Sequence, residues 1–394
     1  MEENEIKRRP RRRSPVQKNR SFQGTCLAVL LALVILVFAL TGWIGKDRAF
    51  SENENRSLAQ KPAFSWQALG EGSYFADLSS YIADQFPGRD LWLSVNLGFN
   101  KLLGSREAGG VYLCADDYLM QAPGEPNEKQ LTRNLQAMNA FARKYPEVNM
   151  VAAIIPNAVT VLDEKLPANA PVRDQKADLR DIKSRLSGVS FVDVTDTLKK
   201  HRDESLFYRT DHHWTSLAAA YAFQKIAPEL EVTAPTLGSY TRYTVSDTFA
   251  GTLSSKSGSH TALDTVEIFV PDSPIEYFVE YPDGGGEICS MYKREALDAK
   301  DHYTVFFGGN YSRVDITTSA DTERSLLVFK DSYANCFIQF LYPYFDHITM
   351  VDPRYYYDNV DQILSSESVT DVLYLYNLDT FLSDASLADT LAVN

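Results

Sequence analysis

An amphipathic helical pattern over Glu128 to Lys144 runs into an almost unbroken apolar stretch, Val148 to Ile155. A strand apolar at nearly every position has no face for water, so it must lie in a sheet covered on both sides. The same order returns as Ala177 to Leu186 followed by Val189 to Val194. Later, Ser325 to Phe329 reads as a strand, Tyr333 to Tyr342 as a helix and Ile348 to Val351 as a strand. Asp358 to Ser365 then reads as a helix and Val372 to Tyr376 as a last strand. Repeated alternation of this kind predicts an α/β fold with a doubly wound parallel sheet. The chain has 394 residues, 44% of them hydrophobic, enough to bury a large core in one or two domains.

Other segments depart from the alternation. Tyr74 to Leu103 has helical periodicity broken at Pro87-Gly88, and Val111 to Met120 reads as a hairpin turning at Asp116-Asp117. Between about 231 and 305, Thr, Ser, Gly and Tyr dominate, and Gly284-Gly285-Gly286 marks a loop, so a β-rich insertion is expected there. No internal repeat is present.

Charge and hydropathy divide the N-terminal part. The net charge is -13, yet residues 1–20 carry eight Lys and Arg against three Glu, leaving -18 for the remainder. That balance speaks against nucleic acid as a partner of the main body. Thr25 to Ile44 carries no charge and is long enough to cross a bilayer. Basic residues just before it favour a cytoplasmic N-terminus, which places the main domain outside the cell membrane. A cleaved signal peptide is the rival, but no small-x-small cleavage site follows cleanly. The expected organisation is a basic cytoplasmic tail at 1–24, a transmembrane signal anchor at 25–45, a juxtamembrane spacer at 46–70 and an extracytoplasmic domain at 71–394. Cys114, Cys289 and Cys336 are an odd set, allowing at most one disulfide among them and favouring buried free thiols.

Chemistry concentrates at Tyr208-Arg209-Thr210-Asp211-His212-His213-Trp214-Thr215, which joins a strand-like segment, Leu206 to Tyr208, to an amphipathic helix, Ser216 to Ile226. A carboxylate two residues from an imidazole can orient a general base, provided a nucleophile arrives from elsewhere. Ser332, in Lys330-Asp331-Ser332-Tyr333, follows an apolar strand and precedes a helical pattern. A serine there sits at the carboxyl edge of a sheet, near N–H groups that favour an oxyanion. Helix capping by Asp331 or Ser332 is the plain alternative. Val305 to Asn310 reads as another strand ending in Gly308-Gly309, with the Asn310 amide able to donate to an oxyanion.

These residues carry a resemblance. Arg209 to Trp214 together with Lys330 to Tyr333 resembles the DHHW family of anchored bacterial surface proteins. That family is similar to the AlgX/AlgJ-like branch of SGNH hydrolases, whose members O-acetylate exopolysaccharides. Asn55-Arg56-Ser57-Leu58, Asp84 to Asp90 and Asp352 to Tyr356 fit the same pattern, and the likeness covers most of residues 50–378. It implies an SGNH-hydrolase-like doubly wound sheet with a permuted motif order, the Asp-x-His-Trp segment preceding the serine. Asp211 is then the orienter, His213 the base and Ser332 the nucleophile, with Gly309 and Asn310 as oxyanion donors beside the Ser332 N–H. The family's usual Gly-Asp-Ser form is altered here, since Lys330 stands in place of the glycine.

Candidate substrate-binding residues are His212, Trp214, Tyr333, Arg354 and Asn157, each weighed against plain packing. His212 points away from His213 in an extended segment. Asn157 lies after Pro156 at a strand end, and Arg354 precedes Tyr355-Tyr356-Tyr357. No metal is expected, because adjacent histidines do not easily share one tetrahedral ion, and no cofactor is called for. The resulting expectation is an extracytoplasmic O-acetyltransferase acting on a cell-surface or secreted polysaccharide, working through an acyl-enzyme, with no nucleic-acid partner. Carbohydrate O-acetyl esterase activity and noncatalytic glycan binding are the alternatives. A single membrane span cannot carry acetyl groups across a bilayer, so a multi-pass membrane acyl exporter is the further partner expected.

Overall fold

The computed structural model describes residues 15–51, 56–282 and 290–392. Residues 1–14 of the basic tail, Asn53 to Asn55, the Gly284-Gly285-Gly286 loop and Cys289 lie outside the described residues. The chain divides into two units, Met1–Glu52 with Arg56–Val95, and Asn53–Asn55 with Asn96–Asn394.

In the first unit, a helix over Pro15–Ile44 contains the expected apolar run. Its described apolar side chains stand open, Leu27 at 67% and Leu30 at 59% exposure. Among the described residues no helix is long and apolar enough to cross a membrane, so the transmembrane expectation finds no support in this fold. Further on, Asp84 and Gln85 tie down the segments before them. The Gln85 side-chain amide donates to the carbonyls of Arg48 and Ala59 at 2.9 and 3.0 Å. The Asp84 carboxylate accepts the Ala59 N–H at 2.8 Å. The Asp84 to Asp90 motif thus performs local bracing.

The second unit is built on a seven-stranded sheet. Its strands are β1 (Asn149–Ile155), β2 (Ser190–Phe191), β3 (Tyr277–Glu280), β4 (Arg313–Thr318), β5 (Ser325–Lys330), β6 (His347–Val351) and β7 (Asp371–Asn377). Their order across the sheet is β3-β4-β6-β5-β7-β1-β2. From β6 to β2 every pairing is parallel, whereas β3 and β4 run antiparallel at the other edge. The sheet is therefore mixed, a correction to the all-parallel expectation. The more polar β4, with Asp315 and three threonines or arginines along it, lies between the edge strand β3 and β6.

Alternate residues of each central strand enter different cores. Val151, Ala153 and Ile155 join one cluster with Leu326, Val328, Leu373 and Leu375. Met150, Ala152 and Ile154 join the other with Leu327, Phe329, Val372 and Tyr374. This two-sided burial is the physical reason β1 is apolar at almost every position. The second core is closed by α1 (Glu128–Lys144), which inserts Leu131, Leu135, Met138 and Phe141. Asn127 caps α1 by accepting the Gln130 N–H. The first core takes α3 (Ser216–Ile226), which contributes Leu217, Phe223 and Ile226; α2 (Gln175–Arg185) lies between β1 and β2 in the chain.

The insertion contains an antiparallel ribbon of Tyr240–Phe249 and Asp264–Pro271 with two register shifts, then β3 of the main sheet. A short helix, α4 (Thr252–Ser257), interrupts the ribbon, so the insertion is not purely β. Val111 to Gln121 forms the expected hairpin, with Asp116 and Asp117 at φ 55° and 60° in its turn.

Two local expectations fail. Residues after Ser332 do not form an α-helix but successive 3-10 turns, Ser332–Ala334, Ile338–Phe340 and Tyr342–Tyr344. Phe, Ile and Tyr crowd the segment and Pro343 removes a donor, so tight turns replace a regular helix. Likewise Val305 to Asn310 is no strand. A 3-10 turn over His302–Val305 leads into a reversal with Phe307, Gly308 and Gly309 at φ 64°, 81° and 122°.

Candidate active site

Asp211, His212 and His213 lie in a tight loop closed by an antiparallel bridge between Phe207 and Trp214. Thr210 anchors the loop from below. Its N–H and hydroxyl both donate to Asp264, at 2.7 and 2.6 Å. Asp211 is 3% exposed and accepts from four donors. Its Oδ1 takes the His213 N–H at 3.0 Å and the His213 Nδ1–H at 2.6 Å. Its Oδ2 takes the Thr252 N–H at 2.7 Å and the Thr252 hydroxyl at 2.8 Å. Burial alone would raise the pKa of this carboxyl, but His212, His213 and the Thr252 N–H hold it well below the usual carboxylate range.

A carboxylate only accepts hydrogen bonds, so the contact at Nδ1 fixes the proton of His213 there and leaves Nε2 as an acceptor. The Ser332 hydroxyl donates to that Nε2 at 2.7 Å. Asp211, His213 and Ser332 are thus linked end to end, although Ser332 is 119 residues from His213 in sequence. Ser332 stands immediately after β5, at the carboxyl edge of the central sheet, where α/β folds place reactive groups.

The two halves of this chain are clasped on both sides of the His213–Ser332 contact. The Trp214 indole N–H donates to the Tyr333 carbonyl at 2.9 Å, and the Tyr333 hydroxyl donates to the His212 carbonyl at 2.6 Å. Trp214 and Tyr333 are 0% and 1% exposed, and their rings stack at 5.5 Å. Both were substrate-binding candidates weighed against plain packing, and their burial and mutual hydrogen bond fit the packing reading. Asp331, expected as a capping residue, accepts the Tyr333 N–H at 2.9 Å and the Asn377 N–H at 3.0 Å.

His212 takes a different course. Its Nδ1–H donates to the Thr252 hydroxyl at 2.9 Å, leaving Nε2 free, and its side chain is 41% exposed. The surrounding protein and the adjacent His213 push its pKa down to about 4, so it is neutral near pH 7. It lines a cavity of about 330 Å³ with Asn157, Thr252, Lys256, Asn377 and Asp379. Asn157 Oδ1 accepts from Gln175, which leaves its amide N–H groups for the cavity. Asn377 is 5% exposed and its amide nitrogen has no hydrogen-bond partner. Arg354 is not brought there. Asp352 binds its guanidinium at 2.8 and 2.6 Å, and the pair serves as internal support.

Ligand atoms of Asp211, His212 and His213 lie within 4.8 Å of one another, a spacing that could hold a metal ion. Both ring nitrogens of His213 are already engaged, at 2.6 and 2.7 Å. A metal there would have to break the serine or the carboxylate contact.

The comparisons with known proteins fit this geometry. Residues 113–275 match the family described as SGNH hydrolase-like domain, acetyltransferase AlgX. Over that span the chain is similar to SGNH hydrolase-like domains. The matched span includes Asp211 and His213 and ends before Ser332. A probable alginate O-acetylase, AlgJ of Pseudomonas aeruginosa, is 24% identical over 217 residues. That match spans 52% of this chain and 52% of the relative, about half the length of each. Among solved structures, a DHHW family protein from Eubacterium siraeum superposes with a TM-score of 0.63 at 22% identity, covering 72% of this chain and 95% of the other. Bacillus cereus PatB1, solved with a sulfonyl adduct, gives 0.60 at 21% identity, covering 71% and 98%. These findings support the DHHW and AlgX-like resemblance drawn from the Asp211 to Trp214 run.

Beside the turn that carries Ser332, Asn310 is exposed while its Oδ1 is held by residues on either side of that serine in sequence. The Lys330 ammonium donates to it at 3.2 Å, as does the Asn335 amide at 3.2 Å. Lys330 also donates to Asn335 Oδ1 at 2.7 Å. Lys330 is 1% exposed, and burial lowers its pKa to about 8. It forms no ion pair with Asp331, contrary to the salt-bridged turn that adjacency suggests. Gly309 is strained for any other residue at φ 122°, and its N–H approaches the Phe306 carbonyl at 3.4 Å.

Sequence reading missed three residues of this site. Thr252 fixes Asp211 as above. Gly251 leaves room for it, since a Cβ there would meet Asp211 Cβ at 2.3 Å and Oδ2 at 2.6 Å. Tyr303 stacks on His213 at 3.8 Å and donates its hydroxyl to the Ser332 carbonyl at 2.8 Å. No local pattern marks any of them. Among the described residues Cys114 and Cys336 are free thiols, Cys336 buried and Cys114 only partly so, and burial pushes Cys336 up to about 12, far from reactive.

Proposed function

We propose that this protein transfers acyl groups through a covalent intermediate on Ser332, acting as an O-acetyltransferase on a cell-surface or secreted polysaccharide. The observation that carries the reading is the continuous chain from Asp211 through His213 to Ser332, with links of 2.6 and 2.7 Å. In the proposed mechanism His213 Nε2 takes the Ser332 proton as Oγ attacks the carbonyl of the acyl donor. Asp211 keeps the imidazole in the required tautomer and stabilises the imidazolium formed. In this reading the Ser332 N–H and the Asn310 amide are the donors to the oxyanion. Collapse expels the donor's leaving group, which takes the proton from His213. A sugar hydroxyl then gives its proton to His213 as it attacks the acyl-enzyme, and on collapse His213 returns that proton to Ser332 Oγ as the Oγ–acyl bond breaks.

The cavity beside His212 supports an acceptor carrying several hydroxyls, because Asn157 and Asn377 offer amide donors and Asp379 a carboxylate. The AlgX-type domain and the AlgJ likeness support transfer to a polysaccharide. The uncharged run Thr25 to Ile44 behind a basic segment supports a membrane-anchored, extracytoplasmic setting, with a multi-pass acyl exporter supplying the donor. Protease shaving of spheroplasts checks that setting: the domain is expected to be cleaved from outside, and full protection contradicts it.

The activity itself is tested by incubating the full chain with p-nitrophenyl acetate and an acetylated-polysaccharide precursor, following acetyl transfer by mass spectrometry. Wild-type protein is expected to transfer acetyl to sugar and Ser332→Ala to lose this by at least about 10⁴-fold. Undiminished transfer by Ser332→Ala would sink the proposal.

A further inference from the structure

Lys330 occupies the place where the SGNH pattern has a glycine, and its ammonium is directed into the fold. Two side-chain amides meet it. Asn310 Oδ1 lies 3.2 Å away and Asn335 Oδ1 2.7 Å away. A lysine ammonium only donates, so each amide must present its oxygen to it. For Asn310 that decision has a second vote, since the Asn335 amide N–H also donates to Asn310 Oδ1 at 3.2 Å. With both donors on its oxygen, Asn310 turns its NH₂ away from Lys330, toward the exposed side of the loop.

The loop carrying Asn310 is itself drawn onto the nucleophile turn. The Asn335 amide reaches the Gly309 carbonyl at 3.4 Å, and Tyr303, at the start of the same segment, holds the Ser332 carbonyl at 2.8 Å. Phe307 is 1% exposed in a left-handed conformation, φ 64°, that a bulky residue adopts only under constraint. A loop bent this way keeps its shape only if tethered, and Lys330 with Asn335 are tethers on Asn310.

We infer that Lys330 is a positioning residue for acyl transfer: it locks the Asn310 amide with its NH₂ toward the oxyanion formed at Ser332, replacing by a side-chain tie what backbone freedom would otherwise supply. This rests on the acyl-enzyme reading, and Lys330 touches neither substrate nor the reacting atoms.

The test is a double-mutant cycle on the full-length protein, reading acylation by p-nitrophenyl acetate as separate kcat and KM, with a thermal melt for each variant. Asn310→Ala and Lys330→Met are each expected to lower kcat by roughly 10²- to 10³-fold with KM nearly unchanged, as loss of one oxyanion donor does. Because both act through one amide, Lys330→Met/Asn310→Ala is expected to be no slower than Asn310→Ala. Multiplying losses, or a Lys330→Met variant within threefold of wild type while Asn310→Ala is slow, overturns the inference. Ser332→Ala reports on the acyl-enzyme separately, so a failed cycle beside an inactive Ser332→Ala variant condemns the Lys330 role alone. Should Lys330→Met not fold, Asn335→Leu loosens the same amide from the other side. It is expected to lower kcat at least tenfold with KM unchanged, and a kcat equal to wild type counts against the inference.

Discussion

The two flanks of Ser332 are built on opposite principles. On one side, Asp211 and His213 lie two residues apart, and Asp211 gathers donors at 2.6–3.0 Å from His213 and Thr252. On the other, Asn310 reaches its position through a left-handed turn and a buried lysine that comes from the end of β5. The first flank is short-range and saturated with charge-assisted bonds. The second is assembled from separate segments and rests on an ammonium that burial disfavours. Orientation of the base is therefore robust to small changes nearby, whereas the set of the Asn310 amide depends on two donors, Lys330 and Asn335, brought from another segment.

The most severe challenge to this contrast is Asp211→Asn. It keeps the shape but allows the wrong imidazole tautomer, and p-nitrophenyl acetate turnover is expected to fall about 10⁴-fold. Retention of even a tenth of the activity removes Asp211 from the orienting role.

Next is Gly251→Ala, whose added Cβ would sit 2.3 Å from Asp211 Cβ. Backbone and a buried carboxylate cannot both yield cheaply, so a loss on the order of 10²-fold in kcat is expected, with about 1–3 kcal/mol of stability. Measuring both in one variant shows whether the crowded flank yields through geometry or through unfolding.

Lys330 provides a pH-dependent comparison. Its pKa is lowered to about 8 in the fold, from a usual lysine value of about 10.4 in the unfolded chain. Between those values the unfolded chain binds more protons, so stability attributable to this group rises as pH climbs through that window. The penalty is fully present below about pH 8. Urea melts at pH 7 and 10 are expected to show wild type gaining roughly 2 kcal/mol relative to Lys330→Met. An unchanged difference between the two proteins means the lysine is not buried as a strained cation.

The smallest expected effect is at His212. With its Nδ1–H spent on Thr252 and its Nε2 facing the cavity, His212→Ala should change KM for an oligosaccharide acceptor by about 2- to 10-fold. Acylation by p-nitrophenyl acetate should hardly move. An effect as large as that of His213→Ala would erase the distinction between the two neighbours.

How far the site was legible follows the same division. Strand positions in the middle of the sheet were readable because β1, β5 and β7 bury both faces and carry apolar residues along their central positions. Asp211, His213 and Ser332 were readable because polar groups clustered at the ends of such patterns. The antiparallel edge was not, since strand order is decided by the pairing of β4 with β6, residues far apart in sequence. Apolar density misled twice, at Val305 to Phe307 and after Ser332, where buried side chains pack around tight turns and leave no regular period. Trp214 and Tyr333 were open between ligand contact and packing, and only the fold shows them bonded to each other across the site. Thr252, Gly251 and Tyr303 carry no local sign of their role because it arises entirely from what the ribbon and the His302–Val305 turn bring to Asp211 and Ser332.

The central claim is that Ser332 is activated by His213. Incubating the full chain with phenylmethylsulfonyl fluoride and mapping the modified peptide by mass spectrometry tests it most directly. The account predicts one sulfonyl group, on Ser332, formed at least 10³-fold more slowly in His213→Ala. A sulfonyl group on another residue, or equal labelling of Ser332 without His213, would contradict it.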